Sequence, residues 1–309
     1  MTTAYISHPD CLRHDMGSWH PESPARLLAI EQALAVSGLR DHLLRFAAPP
    51  ATYAQLERVH DPDYVQKIAA AAPQTGLRHL DADTAMNAHT LTAALRAAGA
   101  AALAADLVMA GEVSNAFCAV RPPGHHAEHN RAMGFCLFNN VAIGVACALE
   151  HRQLSRVAIV DFDVHHGNGT EDIFRDDQRV LMLSTFQHPF YPGSGVAGRS
   201  DRMVNIPLRA GSGGAELRAV VERYWQPAIE RFMPEMLFVS AGFDAHRDDE
   251  MAGLQWTDGD YQWVTQWIKA AADKFAQGRI VSLLEGGYEL QMLARNVVNH
   301  VEILAGRDK

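Results

Sequence analysis

The sequence is poor in the features that direct a protein to a membrane, an oxidising compartment or a nucleic acid. It has only four cysteines, none with the paired spacing of a zinc finger or disulfide framework: Cys11, Cys118, Cys136 and Cys147. It lacks a run of about 18 apolar residues and a signal-peptide pattern at its start. Its net charge of −9 argues against a protein that grips phosphate backbones. We therefore expect a cytoplasmic protein with reduced thiols, no membrane association and no dedicated nucleic-acid binding.

No low-complexity linker and no internal repeat divides the sequence, so we expect one domain spanning 1–309. Short apolar segments alternate with helical ones, which favours an α/β fold with a mainly parallel central sheet flanked by helices. The predicted strands are 4–7, 116–120, 156–160, 180–185, 236–240 and 280–284. The predicted helices are 25–36, 52–59, 62–72, 88–110, 139–151, 171–174, 216–232, 260–275 and 290–304. Residues 81–87 are expected to form a surface loop, and 187–201 a long functional loop.

The most informative stretch is 160–170, which reads V-D-F-D-V-H-H-G-N-G-T and follows a predicted buried strand. In an extended chain residues i, i+2 and i+4 point to one face, so Asp161, Asp163 and His165 leave the strand on the same side. Carboxylates and imidazoles are ordinary zinc ligands, and α/β proteins bind ligands at the carboxyl ends of their strands. Charged groups crowded beside a buried strand are costly without a partner or a metal. The stretch therefore predicts a metal site.

A catalytic zinc site keeps three protein ligands and one open position, so a ligand beyond Asp163 and His165 is expected. Asp244 is the best candidate, because it follows the run Leu-Phe-Val-Ser at 237–240 and the turn Ala-Gly. The alternative interpretation of Asp244 is that it caps the N-terminus of a following helix.

Two further loops carry reactive side chains directly after predicted strands. His125 and His126 follow Pro-Pro-Gly, a turn that can present both rings to one cavity, where paired imidazoles suit general acid–base catalysis. The alternative is that one of these rings is structural. Tyr288 follows Gly-Gly and is a candidate hydrogen-bond donor to an oxyanion, although the same pattern is common in turns with a packed ring. Because neighbouring parallel strands end at one edge, we expect these loops to converge with the metal site.

Together these motifs resemble the histone deacetylase family of zinc hydrolases, and its bacterial and class II members most closely. The resemblance extends from His20-Pro-Glu to Leu290 and rests on R-P-P-G-H-H-A-E at 121–128, G-F-C-L-F-N-N at 134–140, D-F-D-V-H-H-G-N-G-T at 161–170, S-A-G-F-D-A-H at 240–246 and L-E-G-G-Y at 284–288. It implies an arginase-like α/β fold with one Zn²⁺ held by Asp163, His165 and Asp244. It also implies hydrolysis of an acetylated amine by a metal-activated water, with release of acetate.

The resemblance also implies a role for each catalytic residue. His126 is the expected general base, and then the acid that protonates the leaving amine. His125, oriented by Asp161, is expected to stay more cationic and to stabilise charge. Tyr288 is expected to hydrogen-bond the tetrahedral oxyanion. At the position of Asn168, class I members carry an aspartate beside the base, whereas class II members share the asparagine. An amide adds no charge, so the pKa of His126 should be raised less strongly.

Substrate-binding positions follow from the same resemblance. Phe135 and Tyr191 match the paired aromatic walls of an acetyl-lysine tunnel, although Phe135 is also compatible with core packing. The carbonyl of Gly134 is expected to accept the substrate amide N–H. Met251 matches a position that faces the substrate, where polyamine-selective relatives carry a glutamate. Glu250 is adjacent but one residue away, so that selectivity is not expected here.

The family's potassium site is matched by Asp161, Asp163, His165 and Ser184, together with main-chain carbonyls, so bound K⁺ is a further expectation. The expected partner is an acetylated protein, an acetylated peptide or a small acetylated amine. A homo-oligomer is compatible with this interpretation.

Three other functions fit parts of the sequence. An acetylpolyamine amidohydrolase would apply the same chemistry to a cationic small molecule. A dimanganese ureohydrolase would explain D-A-H-R-D at 244–248, but it needs a later D-x-D-x-x-D-P cluster, and Asp258-Gly-Asp260 is followed by Tyr and Gln. A catalytically silent acetyl-lysine binding module should lack Tyr288 or one of the histidines, and all are present.

Overall fold

Short runs of apolar residues form the strands of a central sheet in the computed structural model, which describes residues 2–151, 153–196 and 200–307. The strands within these ranges are β1 Thr3–Ser7, β2 Leu44–Ala47, β3 Arg78–His79, β4 Ala85–Met86, β5 Asn115–Cys118, β6 Val157–Asp161, β7 Val180–Gln187, β8 Met203–Leu208, β9 Met236–Ala241 and β10 Ile280–Leu284. Eight of them form one parallel sheet in the order β2-β1-β5-β10-β9-β6-β7-β8. Strands β3 and β4 form a separate antiparallel hairpin.

Helices cover both faces of this sheet. They are α1 Ala25–Val36, α2 Tyr53–Leu56, α3 Pro62–Ala71, α4 Thr90–Met109, α5 Asn140–His151, α6 Asn168–Phe174, α7 Gly214–Val220, α8 Gln226–Phe232, α9 Asp258–Phe275 and α10 Leu290–Leu304. Strands of the centre, such as β6, β7, β9 and β10, are buried along their whole length, as parallel sheets between two helical layers require. The predicted α/β class is confirmed.

The alternation of side chains along β9 and β10 shows which helices lie on which face. Gly144 of α5 leaves room for Phe238, whose ring would lie 2.8 Å from a Cβ at that glycine. Phe238 pairs in register with Val281, and the next residue, Ser282, is 2.9 Å from Nε2 of His300 in α10. Successive residues of a strand point to opposite faces. Helices α5 and α10 therefore lie on opposite sides of the sheet.

The two edge strands, β2 and β8, were not predicted from the sequence. Strand β2 is mostly exposed, and β8 contains Asn205 and Pro207, residues that are rare in central strands. Both strands lie at an edge, where one row of backbone groups needs no partner in the sheet. The continuous apolar run used to predict the central strands is therefore missing from β8, although most of its residues are buried, and burial itself is missing from β2.

Four predicted segments differ from the structure. The helix predicted at 52–59 is a single turn. The helix predicted at 216–232 is interrupted by a π-helical turn at Val221–Trp225, which lies beside Pro227, a residue that lacks an amide donor. The predicted surface loop 81–87 contains β4, and its residues 84–86 are buried. In the predicted loop 187–201, β7 reaches Gln187, while residues 197–199 lie outside the described ranges.

The longest helix, α4, is a helix of the core. It is long and apolar enough to cross a bilayer by length and composition, but 67% of its most apolar window is buried inside the fold. It packs against α5 and against β1, β5 and β10. At Gly99 it approaches the 49–51 segment so closely that a Cβ would lie 2.0 Å from the carbonyl oxygen of Pro49.

We expect Gly99→Ala to lower the free energy of unfolding by about 1–3 kcal/mol, because the new methyl group must displace backbone atoms of Pro49 and Ala51. This loss should exceed the gain of about 1 kcal/mol in helix propensity. The matched control is Gly259→Ala in α9, where the nearest heavy atom, Thr257 Oγ1, is 3.8 Å away, and no loss is expected. Urea denaturation measures both variants. Wild-type stability of Gly99→Ala would show that this contact is looser than the structure has it.

Candidate active site

The polar loops converge at the carboxyl ends of four neighbouring strands. Strands β5, β10, β9 and β6 are consecutive in the sheet. The loops that follow them carry His125 and His126, Tyr288, Asp244, and the Asp163–His165 pair, in that order. The predicted convergence is therefore confirmed, and it places carboxylates, imidazoles and a phenol around one cavity.

Asp163, His165 and Asp244 form a buried cluster whose potential ligand atoms all lie within 4.8 Å of one another. His165 Nδ1 is 3.1 Å from Asp163 Oδ1 and 3.3 Å from Asp244 Oδ2. Among the residues that the structure describes, this is the only group of His, Cys, Asp and Glu side chains that could hold a metal ion. Asp244 does not cap a helix, since the next helix begins at Asp258. That alternative interpretation is wrong.

The donor set fits a bound divalent cation. The buried Oδ2 of Asp244 approaches His165 but makes no hydrogen bond within the described part of the chain. Burial, and then the carboxylate of Asp163, raise the pKa of Asp244 to about 6, so two anions face each other where a cation would relieve their repulsion. The site is also lined by glycine. A Cβ at Gly242 would lie 2.0 Å from Asp163 Oδ2, and one at Gly286 would lie 2.0 Å from Asp244 Oδ2.

Backbone amides of the loops after β6 and β10 hold the two carboxylates in place. Asp163 Oδ1 accepts a hydrogen bond from the amide of His165 at 2.9 Å, and its Oδ2 accepts one from Gly286 at 2.9 Å. Asp244 Oδ1 accepts one from the amide of Val164 at 3.0 Å. The loops after β6, β9 and β10 are thus tied together through the cluster itself.

His125 is held as a cation by its neighbours. Its Nδ1 lies 3.1 Å from Asp161 Oδ2, and its Nε2 lies 3.8 Å from Asp163 Oδ1. Burial alone would lower the pKa of His125, but the carboxylates of Asp163 and Asp161 outweigh it and raise the pKa to about 10. The predicted partnership with Asp161 is present, and the direction of the shift agrees with the predicted cationic role.

His126 is held neutral, with one defined tautomer. The amide nitrogen of Asn168 donates to Glu128 Oε1 at 2.8 Å, which leaves its Oδ1 to accept a hydrogen bond from His126 Nδ1 at 2.8 Å. The Nε2 lone pair of His126 is therefore free for proton transfer. Burial, followed by the nearby imidazoles of His125 and His165, holds the pKa of His126 well below its ordinary value. The two adjacent rings, with centroids 4.0 Å apart, thus differ in charge.

A cavity of about 200 Å³ lies beside the cluster, with both histidine rings and His165 in its wall. All four predicted substrate-binding residues line it: Gly134, Phe135, Tyr191 and Met251. The Tyr191 ring stands edge-on to His126 at 5.2 Å, and Phe135 stands edge-on to Tyr288 at 6.1 Å. Phe135 is therefore a wall of the cavity, not a core residue. The wall is apolar and aromatic, with the reactive groups at its base.

Tyr288 lines the same cavity and stays protonated at neutral pH. Burial and the nearby carboxylate of Asp244 raise its pKa well above the ordinary value, although the guanidinium of Arg26 opposes them. Its backbone amide donates to Asp249 Oδ2 at 2.6 Å, which also accepts the amide of Glu289 at 3.2 Å. A protonated phenol on an anchored turn is a hydrogen-bond donor, as the predicted role requires.

Two residues of the predicted potassium site, Asp161 and Ser184, lie side by side on β6 and β7. Ser184 is the register partner of Asp161, and its buried hydroxyl has no hydrogen-bond partner within the described residues. Asp161 Oδ1 accepts the amide of Asp163 at 3.1 Å. Occupancy by K⁺, with Asp161, Asp163, His165 and Ser184 around it, stays a prediction.

Several residues of the site escaped prediction from the sequence. Glu285 is buried, and its Oε2 accepts the amides of Gly124 at 2.7 Å and His125 at 3.2 Å, which positions the histidine loop. Asp83 and Phe190 also line the cavity, and the Phe190 ring stacks on His165 at 5.5 Å. The available signal was a carboxylate directly after a buried strand in the case of Glu285, and proximity to Tyr191 in the case of Phe190.

The contacts of 258–260 speak against the ureohydrolase alternative. Asp258 binds Arg295 Nε at 2.7 Å, and Asp260 binds Arg218 NH1 at 2.7 Å, so both carboxylates serve α9 and its neighbours. Neither joins the cluster of Asp163. Within the part of the chain that the structure describes, a second metal cluster is absent.

Known proteins are similar to this chain in sequence and in fold. The family model described as "Histone deacetylase domain" matches residues 20–304. Histone deacetylase 14, chloroplastic, of Arabidopsis thaliana is 38% identical over 94% of this chain and 74% of its own length. The histone deacetylase-like amidohydrolase of Pseudomonas aeruginosa is 36% identical over 92% of this chain and 78% of its own. The solved HDA15 HD domain superposes with a TM-score of 0.91 at 33% identity, covering 99% of this chain and 88% of that one. The chain therefore belongs to the histone deacetylase family.

Proposed function

We propose that this protein is a zinc-dependent deacetylase that hydrolyses the amide of an acetyl-lysine side chain and releases acetate. The observation that carries the proposal is the placement of a neutral imidazole, a cationic imidazole and a protonated phenol around one Asp-His-Asp cluster. Two carboxylates and one imidazole form a donor set that zinc accepts, with a position left for substrate. When bound there, zinc supplies Lewis-acid polarisation of the acetyl carbonyl and acidifies water.

The side chains of the protein move the protons. His126 Nε2 takes a proton from the attacking water and returns it to the departing lysine amine, because Asn168 holds the ring in the tautomer with a free Nε2. The amide of Asn168 adds no charge, so the basicity of His126 stays modest. His125, paired with Asp161, stays cationic and stabilises the negative charge that develops during attack.

The remaining groups hold the substrate. The Tyr288 hydroxyl donates to the oxygen that becomes negative in the transition state. The apolar slot between Phe135 and Tyr191 accepts the methylene chain of lysine, and the backbone at Gly134 is available to the substrate amide. A Cβ at Gly134 would lie 2.4 Å from His126 Cδ2, so the backbone approaches the base closely only because this residue is glycine.

A small acetylated polyamine is the second candidate substrate, and two observations favour it. The carboxylate-bearing residue Asp83 lines the catalytic cavity, and Glu250 lines a neighbouring groove that shares Met251 and Tyr288 with the cavity. Acidic groups near the entrance favour a cationic substrate. Met251 itself offers no charge inside the cavity, which is why acetyl-lysine remains the preferred substrate.

We expect Asp244→Ala to lose bound zinc, because one of the three proposed protein ligands is deleted. The zinc content measured after dialysis should fall from about one ion per chain to almost none, as is expected for a three-ligand site. Asp248→Ala, which removes a half-exposed carboxylate of the same loop, is the control and should keep the metal. Full zinc retention with normal activity in Asp244→Ala would remove this residue from the ligand set.

We expect Tyr288→Phe to lower kcat by about 100- to 1000-fold, the usual loss for one oxyanion donor. Only a hydroxyl is deleted, so the thermal midpoint of unfolding should not change. Tyr53→Phe, a change at an exposed tyrosine of α2, is the control and should keep wild-type kcat. Steady-state turnover of an acetyl-lysine peptide measures both. Undiminished turnover by Tyr288→Phe would exclude the proposed role of the phenol.

We expect acetyl-lysine peptides to have a higher kcat/KM than acetylspermidine, and Met251→Glu to shift this preference toward acetylspermidine. An unpaired cation in an apolar wall costs several kcal/mol, enough to change preference by orders of magnitude. Met233→Glu places the same charge on an exposed methionine and serves as the control. If the wild-type protein prefers acetylspermidine and Met251→Glu does not alter the ratio, selectivity resides in other residues.

A further inference from the structure

The motifs His20-Pro-Glu and Arg121-Pro-Pro meet in a buried ionic network whose charged residues are not among those that line the cavity. Glu22 lies between Arg26 of α1 and Arg121, and all three side chains are fully buried. Arg26 NH1 donates to Glu22 Oε1 at 3.1 Å, and Arg121 NH2 donates to Glu22 Oε2 at 2.7 Å. Arg121 Nε also donates to Glu22 Oε1. One carboxylate thus holds two guanidinium groups together.

Each arginine connects Glu22 to one wall of the active site. Arg26 Nε donates to the carbonyl of Gly287 at 2.7 Å, and its NH2 donates to the carbonyl of Glu285. Its guanidinium lies 5.0 Å from the centre of the Tyr288 ring. Arg121 begins the loop that carries the paired histidines. The network therefore joins the phenol turn to the histidine loop.

The turn before Tyr288 depends on such outside contacts. Gly286 and Gly287 have no side chains with which to pack, and Gly287 has φ +116°, a conformation that other residues rarely adopt. The carbonyls of 285 and 287 are held by Arg26, and the amide of Tyr288 is held by Asp249. These hydrogen bonds fix the position of the phenol relative to the histidines.

The charges of the network require Glu22 to be ionised. Burial would raise its pKa, but Arg121, and then His14, whose Nε2 is 3.3 Å from Glu22 Oε2, hold the pKa well below the ordinary value. Two buried guanidiniums without this carboxylate would repel each other. Arg26 would then lose the partner that aims it at the phenol turn.

We propose that Glu22 is a positioning residue for the reaction: through Arg26 and Arg121 it sets the place of the Tyr288 phenol relative to the paired histidines. The inference rests on the proposed function, since it assigns Glu22 an effect on the same chemistry. Glu22 touches neither the cavity nor the cluster of Asp163, so its effect is transmitted through the two arginines.

The test is Glu22→Gln, which keeps the shape of the side chain and removes its charge. We expect kcat for an acetyl-lysine peptide to fall by about 10- to 100-fold, the size of effect that a displacement of about 1 Å has on a positioned group. KM should change less than about threefold. In the Tyr288→Phe background the same substitution should lower kcat by less than about threefold, because the group it positions is already lost.

The matched control is Asp260→Asn, a change at another buried carboxylate, which pairs with Arg218 and accepts the amide of Thr257 at the start of α9. It should lower the thermal midpoint of unfolding and keep wild-type kcat. A loss of kcat in Asp260→Asn equal to that in Glu22→Gln would show that reduced stability alone explains the effect. Additive losses in the double variant with Tyr288→Phe would equally overturn the proposal.

Two further measurements decide the question if Glu22→Gln does not fold or if no turnover is found. Arg26→Lys keeps a cation beside Glu22 but cannot hold both carbonyls, and it should show the same selective loss of kcat. A crystal structure of either variant should show the Gly286–Tyr288 turn displaced. An unchanged turn contradicts the positioning role even in the absence of an assay. Wild-type protein that binds zinc yet hydrolyses no acetylated amine contradicts the proposed function instead.

Discussion

The structure of the site depends on one constraint, the burial of four carboxylates at one edge of the sheet. Asp161, Asp163, Asp244 and Glu285 are each almost fully removed from solvent, and a buried anion must find donors or cations. Three of them recruit backbone amides from loops other than their own, and Asp161 recruits His125. The hydrogen bonds and the ion pair that these carboxylates require fix the shapes of the loops. Binding of a cation would complete a balance of charge that the protein alone leaves unfinished.

The sequence predicts the centre of the fold better than its margins, because the centre is encoded locally. A buried parallel strand such as β6 is apolar along most of its length. The alternation Asp163, Val164, His165 directly after it predicts that two candidate metal ligands lie on one side. Edge strands such as β8 have no such pattern. The partners of Glu22 are more than 90 residues away in one case and four in the other. Such pairing becomes visible only when the chain is folded, so the network could not be predicted.

The site combines a hydrogen-bonded group of reactive side chains with a cavity wall of mixed polarity. Around the reactive groups, the contacts are charge-assisted hydrogen bonds of defined geometry between His125 and Asp161 and around Asp163. In the cavity wall, Phe135, Tyr191 and Met251 are apolar, while Asp83 adds a carboxylate. The hydrogen bonds fix the positions of the reactive side chains, whereas the polarity of the cavity wall bears on which substrate the proposed reaction would accept.

The hairpin of β3 and β4 has a consequence for how such a protein can diversify. Apart from the main sheet, it carries Asp83 to the cavity, and the hydroxyl of Thr84 accepts the amide of Phe135 at 3.0 Å. None of the proposed metal ligands or proton-transfer residues comes from this segment. Changes in the length or composition of the hairpin can therefore reshape the cavity wall, while the strands that precede the proposed reactive residues stay intact. The hydrogen bond between Thr84 and Phe135 would pass such changes on to the aromatic wall of the cavity.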